Sequence, residues 1–363
     1  MTETPLIETP PIDTPYLLVD DAVLRRNLRA LAERAAASGL QVRPHAKTHK
    51  CAQVARRQLD CGATGFTVAT IGEAEAFADA GFTDLFIAYP LWLTEGKAAR
   101  LRSLARRATL RLAVDSVDGA QQMAALLGSA PVEVLIEVDS GMRRSGTQPE
   151  HAGAVAEAAA TAGLPVVGVF TFPGHGYGPG SARADAARQE AEALAAAAES
   201  LRRHRIEPTV ISGGSTPTVA FADAGVLTEI RPGVYPFNDA QQLEIGSCTW
   251  SEVALVAVAT VVGRDGGRIV LDAGSKTLGA DRPAWATGFG RLPEFPDARI
   301  VSLSEHHAVV ELPPDTKPLP ALGDRVRVIP NHVCSAVNLA DELLAQTADG
   351  IEAWPIIARG ANH

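Results

Sequence analysis

Short apolar runs alternate with Ala-, Glu- and Arg-rich segments over the first two thirds of the chain. Runs at 41–47, 65–70, 84–89, 111–116, 133–139, 164–172, 208–214 and 228–235 read as strands. The stretches between them, above all IGEAEAFADAG and ARADAARQEAEALAAAAESLRRH, carry helical spacing and few β-branched residues. Strands that alternate with helices form a parallel sheet with right-handed crossovers. Eight of them match a closed TIM-like (β/α)8 barrel better than an open doubly wound sheet. The earlier run YLLVD at 16–20 reads as a lead-in element before a helix capped at Asp20 or Asp21.

After about residue 240 the texture changes. EVALVAVATVVG, GRIVLDAG, ARIVSLSEHHAVVEL and DRVRVIP are β-type runs separated by Gly, Pro and Asp, and helical character returns only at NLADELLAQ. The expected organisation is an α/β barrel at 16–240 and a mostly antiparallel C-terminal β domain at 241–363, with residues 1–15 joining the second.

Composition narrows the function. The 363 residues carry a formal net charge of −9, which argues against a nucleic-acid binder, whose phosphate contacts need a basic surface. No apolar run is long enough to span a bilayer. The acidic, proline-rich N-terminus lacks the basic and apolar regions of a secretory signal. Four cysteines make no disulfide framework, so a reducing, cytoplasmic setting is expected.

In a parallel barrel the chemistry sits at the C-terminal ends of the strands. The first strand runs into RPHAKTHK, which carries Lys47 into the mouth. Desolvation there would free its amine for imine chemistry, whereas a basic surface loop would leave it an ordinary lysine. Later strands lead into DSGMRRSG, PGHGYG, SGGSTPT and RPGVY. Gly214, Ser215 and Thr216, with Gly233 and Val234 one strand later, offer small residues, hydroxyls and backbone N–H groups suited to a phosphate. A plain capped turn is the alternative. A lysine facing a phosphate cradle and an arginine points to pyridoxal phosphate. In the β domain, Asn331-His332-Val333-Cys334 places an imidazole and a thiol two residues apart. That pair could hold a zinc ion with open positions, or be a packed cysteine beside a loop histidine. His306 and His307 read as a surface or core-edge pair, and Cys51, Cys61 and Cys248 as packing residues.

Taken together, TPYLLVD, RPHAKTHK, VDSGMRRSG, PGHGYG, SGGSTPT, RPGVY, LDAGSKTLGADR and PNHVCSAVNL resemble the D-serine dehydratase and D-threonine aldolase family of fold-type III pyridoxal-phosphate enzymes, nearly end to end. The resemblance implies that Lys47 bonds the cofactor aldehyde and that Arg144 serves the cofactor. It implies His175 and Tyr177 near the ring, the phosphate on Gly214–Thr216, Gly233 and Val234, and a divalent metal on His332 and Cys334. Cys334 implies zinc and the dehydratase side, giving a 2-oxo acid and ammonia. A carboxylate there would suit manganese or magnesium and the aldolase side, giving glycine and an aldehyde. A homodimer acting on a small D-3-hydroxy amino acid is expected. A non-catalytic cofactor-binding barrel fits poorly, because it has no use for the β domain and its metal motif. A racemase would need a second base that the sequence does not offer.

Overall fold

The computed structural model describes residues 12–363. The chain forms two compact units. One takes the described residues up to Arg29, Thr48–Gln53 and Val234–Gly360; the other takes Ala30–Lys47, Val54–Gly233 and Ala361–His363.

The second of these is the barrel. Its strands are β2 (Gln41–Val42), β3 (Phe66–Val68), β4 (Asp84–Pro90), β5 (Thr109–Val114), β6 (Val132–Glu137), β7 (Val166–Phe170), β8 (Val210–Gly213) and β9 (Glu229–Ile230). They form one parallel sheet in the order β2-β9-β8-β7-β6-β5-β4-β3. The extension of β2 closes the ring on β3, through Thr64 N–H to Val42 O, Thr67 N–H to Pro44 O and a parallel bridge between His45 and Thr67. All eight expected strands are present, each inside or within a residue or two of its expected run. Side chains inside the ring interdigitate: Phe86, Ala113, Leu135 and Phe170 form one cluster, with the two phenyl rings edge-to-face at 4.9 Å. At Gly168 the strands approach so closely that a Cβ would stand 1.8 Å from Val210 O, so only glycine fits.

Helices α3 (Ile71–Asp79), α4 (Glu95–Leu104) and α5 (Val117–Leu127) begin at Thr70, Thr94 and Ser116, whose hydroxyls accept the N–H three residues on. Helix α6 (Ala152–Thr161) and the long α7 (Ala182–Arg203) follow. α7 buries Ala187, Glu190, Ala191, Leu194, Ala198 and Leu201, a stripe at helical spacing made narrow by alanine.

The other unit is a nine-stranded sheet. Its strands are β1 (Tyr16–Asp20), β10 (Leu255–Asp265), β11 (Arg268–Leu271), β12 (Gly290–Arg291), β13 (Arg299–Leu303), β14 (Ala308–Glu311), β15 (Arg325–Pro330), β16 (Glu342–Thr347) and β17 (Gly350–Pro355). Every pairing is antiparallel except β1 with β16. Leu18, Val256, Val258, Ile329 and Leu344 make its core. Short helices α8 (Ala240–Glu244), α9 (Ser275–Leu278) and α10 (Val333–Leu339) sit in its connections, and α1 (Asp21–Ala37) and α2 (Ala52–Asp60) each cross from one unit to the other.

Two expectations are corrected. YLLVD is β1 of this sheet, paired at Leu18 with Val256 and Leu344, and is not a lead-in to the barrel. The compact units group residues 16–29, 48–53 and 234–240 with the β sheet, and the last three residues with the barrel. NLADELLAQ is helical only at Asn338 and Leu339, the end of α10. Its second half is β16, where ladders to β1 and β17 and the burial of Leu343, Leu344 and Ala345 override helix-forming composition. Thr14 hydrogen-bonds to Thr260 and Asp272 of the sheet; the expectation for residues 1–11 falls outside the described residues.

Candidate functional site

In the barrel, Lys47 stands in the middle of the 3-10 turn Ala46–Thr48 that follows β2. It is half-buried, with Nζ 5.6 Å from the centroid of the Phe172 ring. The exposed guanidinium of Arg144, on the loop after β6, stands over the same ring at 5.4 Å. The Tyr177 ring is 6.3 Å from it. Three strand ends therefore bring Lys47, Arg144 and Tyr177 around Phe172, an aromatic that the sequence reading passed over. His175 follows in the turn Gly174–Gly176. Its Nε2 lies 2.9 Å from Gln189 Oε1 of α7, and Nδ1 is buried without a partner.

The two candidate phosphate loops are neighbours because β8 pairs with β9, Gly213 opposite Ile230. Gly214 has φ +77°, a left-handed conformation that turns the chain sharply, and its N–H donates to Glu190 Oε1 at 2.7 Å. Ser215 and Thr216 are buried, and Ser215 N–H is held by Thr218 Oγ1 at 2.9 Å. Gly233 is half-buried and its N–H donates to no group among the described residues. Val234, next in the chain, is buried. His45 N–H donates to Pro232 O, so the segment leading to Lys47 borders the segment leading to Gly233. A half-buried amine beside an aromatic wall, an unpaired backbone N–H and an orphaned imidazole nitrogen fit a phosphorylated aldehyde cofactor.

Under this mouth lies a charged network that sequence reasoning missed. Arg231 is 4% exposed; Nε donates to Ser212 Oγ at 2.8 Å, a second nitrogen donates to Thr171 O, and the guanidinium covers Phe170 at 5.2 Å. Burial lowers its pKa against the raising effect of Glu229, Glu190 and Glu137. Ser212 in turn donates to Glu229, which also accepts from Arg43 at 2.7 Å. Burial pushes both Glu137 and Glu190 up to about 7. Glu137 accepts from Ser145, and its second oxygen is buried without a partner beside a cavity of about 10 Å3 lined also by Arg144, Thr171 and Phe172. The one sequence signal for Arg231 was its place before Pro-Gly in RPGVY.

In the β unit, His332 caps α10 and Cys334 lies in its first turn. His332 Nδ1 is 3.3 Å from Oδ2 of Asp239, a carboxylate with no solvent exposure. Asp239 is itself held by the N–H groups of Gln242 and Val333, at 3.0 and 3.2 Å. Burial works to lower the His332 pKa, but the Cys334 sulfur and Asp239 outweigh it and hold it well above the ordinary value. Cys334 Sγ is 3.2 Å from Thr48 Oγ1. Asn331, also buried, donates to the carbonyls of Asp281 and Gly288 and so fixes the approach to the pair. Among the described residues no three His, Cys, Asp or Glu gather at metal-holding geometry. An imidazole and a sulfur in a negative surrounding fit a borderline divalent cation with positions left open. Asp239 was missed because only the fold brings it to a motif about ninety residues away. His306 and His307 are exposed in the turn between β13 and β14, and Cys51 is fully buried.

The barrel and the β sheet correspond to separate known families. Residues 19–240 match the alanine racemase N-terminal domain, and residues 254–345 a serine dehydratase domain. The chain is 34% identical over 370 residues to D-threo-3-hydroxyaspartate dehydratase of Delftia sp. strain HT23, covering 94% of this chain and 97% of that one. It is 34% identical over 365 residues to D-threonine aldolase of Arthrobacter sp, covering 96% and 93%. The solved structure of the Delftia enzyme superposes with a TM-score of 0.88 at 32% identity, covering 95% of this chain and 97% of that one. Solved variants of that enzyme include one with a cysteine changed to alanine, in the metal-free form, and one with the histidine two positions earlier changed to alanine.

Proposed function

The chain belongs to the fold-type III pyridoxal-phosphate enzymes that join an alanine racemase-type N-terminal domain to a serine dehydratase domain, and from that premise we propose that it is a cofactor- and metal-dependent lyase of D-3-hydroxy amino acids, releasing a 2-oxo acid and ammonia. The observation that carries the reading is the His332–Cys334 pair oriented by buried Asp239. Its spacing equals that of the histidine and cysteine altered in the Delftia dehydratase variants.

Lys47 would hold the cofactor aldehyde, with Gly214, Ser215, Thr216, Gly233 and Val234 around the phosphate and Arg144, His175 and Tyr177 about the ring. Bound pyridoxal phosphate withdraws electrons from the substrate Cα and makes its proton acidic. The Lys47 amine would accept that proton. His332 and Cys334 would hold the divalent ion, zinc by the softness of the sulfur, with manganese or magnesium as alternatives. Such an ion makes a β-hydroxyl a better leaving group. Asp239, with Oδ2 3.3 Å from His332 Nδ1, would help to hold the imidazole in place as a ligand.

The second reading is retro-aldol cleavage to glycine and an aldehyde, favoured by 34% identity to the Arthrobacter aldolase. One experiment separates them: a panel of D-serine, D-threonine and 3-hydroxy-D-aspartate, with and without chelator, and identification of the products. A 2-oxo acid with ammonia supports the dehydratase; glycine with an aldehyde overturns it in favour of the aldolase. We also propose a cytoplasmic homodimer. Four free cysteines fit a reducing compartment, and no helix among the described residues is long and apolar enough to cross a membrane.

A further inference from the structure

We propose that Thr48 is a positioning residue of the metal site, its hydroxyl orienting the Cys334 sulfur and tempering its charge. The inference rests on the reading of His332 and Cys334 as metal donors. Thr48 has no solvent exposure, and its Oγ1 lies 3.2 Å from Cys334 Sγ. A hydroxyl both donates and accepts. It can therefore accept from the thiol S–H in the metal-free protein and donate to the sulfur once the proton is gone, without moving. Valine could do neither. The β-branch of threonine also restricts its rotamer, which aims the hydroxyl.

The contact is part of a longer one. Lys50 Nζ donates to Asn338 Oδ1 at 2.7 Å, and Cys51 pairs with Ile356. Asn338 is one helical turn beyond Cys334 on α10, so residues 48–50 follow a single face of that helix. Lys50 has φ +47°, a conformation that a non-glycine residue adopts here with its side chain tied to α10. Thr48 is also the residue directly after Lys47, in the same 3-10 turn.

The test compares Thr48→Val, which keeps shape and loses the hydroxyl, with Thr48→Ser, which keeps the hydroxyl, in the cofactor-loaded full chain. Zinc affinity is read by competition with a chromophoric chelator. Thr48→Val should bind zinc roughly 10–100-fold more weakly, the range for loss of an outer partner of a ligand, and Thr48→Ser should bind like the wild type. In the cobalt-substituted protein, the sulfur-to-cobalt charge-transfer band should move to lower energy in Thr48→Val and return in Thr48→Ser, a shift that a purely packing role would not produce. Thr48→Ala repeats the comparison with a side chain too small to crowd the site. Wild-type zinc affinity and an unmoved cobalt band in Thr48→Val would overturn the role of the hydroxyl. A wild-type protein that binds no zinc or cobalt would overturn the metal reading, and this inference with it.

Discussion

Glu190 of α7, 1% exposed, accepts the Gly214 N–H at 2.7 Å, so a buried carboxyl supports the turn that would cradle the phosphate. Its pKa is raised to about 7, first by burial and against the pull of Gly214 N–H and Arg231. A carboxyl that holds its proton more tightly folded than unfolded makes stability fall as pH rises, here from about 4.5 to about 7, and level off above. The full cost above that window is about 3 kcal/mol. Glu190→Gln keeps an acceptor for Gly214 and removes the titration. The shift to about 7 already includes the attraction of Arg231. The variant should therefore match the wild type in urea unfolding near pH 5 and exceed it by about 2–3 kcal/mol at pH 8. Glu137 titrates in both proteins and cancels from the difference. A variant weaker at pH 8 than at pH 5, relative to the wild type, would show that ionised Glu190 is held by Arg231.

Gly214 itself makes a second prediction. At φ +77° any side chain is strained, by about 1–2 kcal/mol. An added Cβ would also meet the Ile230 side chain at 3.3 Å, which would have to give by a few tenths of an ångström. Gly214→Ala should bind pyridoxal phosphate about tenfold more weakly, since 1.4 kcal/mol is a factor of ten. Titration of the apo-protein with cofactor measures this directly. An unchanged affinity would place the phosphate elsewhere.

The eight barrel strands were legible because each is a short apolar run flanked by helical spacing, and burial on both faces leaves little room for polar residues. Lys47, Gly214 and His332 were legible because they sit at strand or helix ends, where local sequence fixes position. β16 was not, because Glu342–Thr347 is locally helical and becomes a strand only through partners β1 and β17, the first more than three hundred residues away. β1 was misassigned for the same reason. Asp239 and Glu190 carry no motif of their own, and Arg231 only its place in RPGVY. Each matters through a contact that exists only after folding: His332 Nδ1, Gly214 N–H and Thr171 O.

Lys47 gives a sharper test than any motif. Lys47→Ala removes the amine, and Lys47→Arg keeps a positive charge over Phe172 without a nucleophile. Both should lose the visible absorption of lysine-linked pyridoxal phosphate and at least about 10^3-fold in lyase activity. Charge alone, if it were sufficient, would let Lys47→Arg retain the band. That result, or a wild-type spectrum in Lys47→Ala, would remove the lysine from its assigned role.

The metal donors should separate from the cofactor site in the same measurements. Cys334→Ala and His332→Ala should lose stoichiometric zinc and β-elimination while the lysine-linked absorption stays. Asp239→Asn should be milder, because the imidazole remains but nothing fixes its tautomer; zinc affinity should fall roughly 10–100-fold. Cys334→Asp replaces a soft donor with a hard one two residues from His332. Its activity should recover better with manganese or magnesium than with zinc, because carboxylate suits the harder ions. If the relative yield of glycine from a D-3-hydroxy amino acid also rises in that variant, the donor at 334 selects between the two cleavages. If the products stay the same while the metal preference shifts, the ion serves both reactions alike, and the choice is made by groups around Phe172.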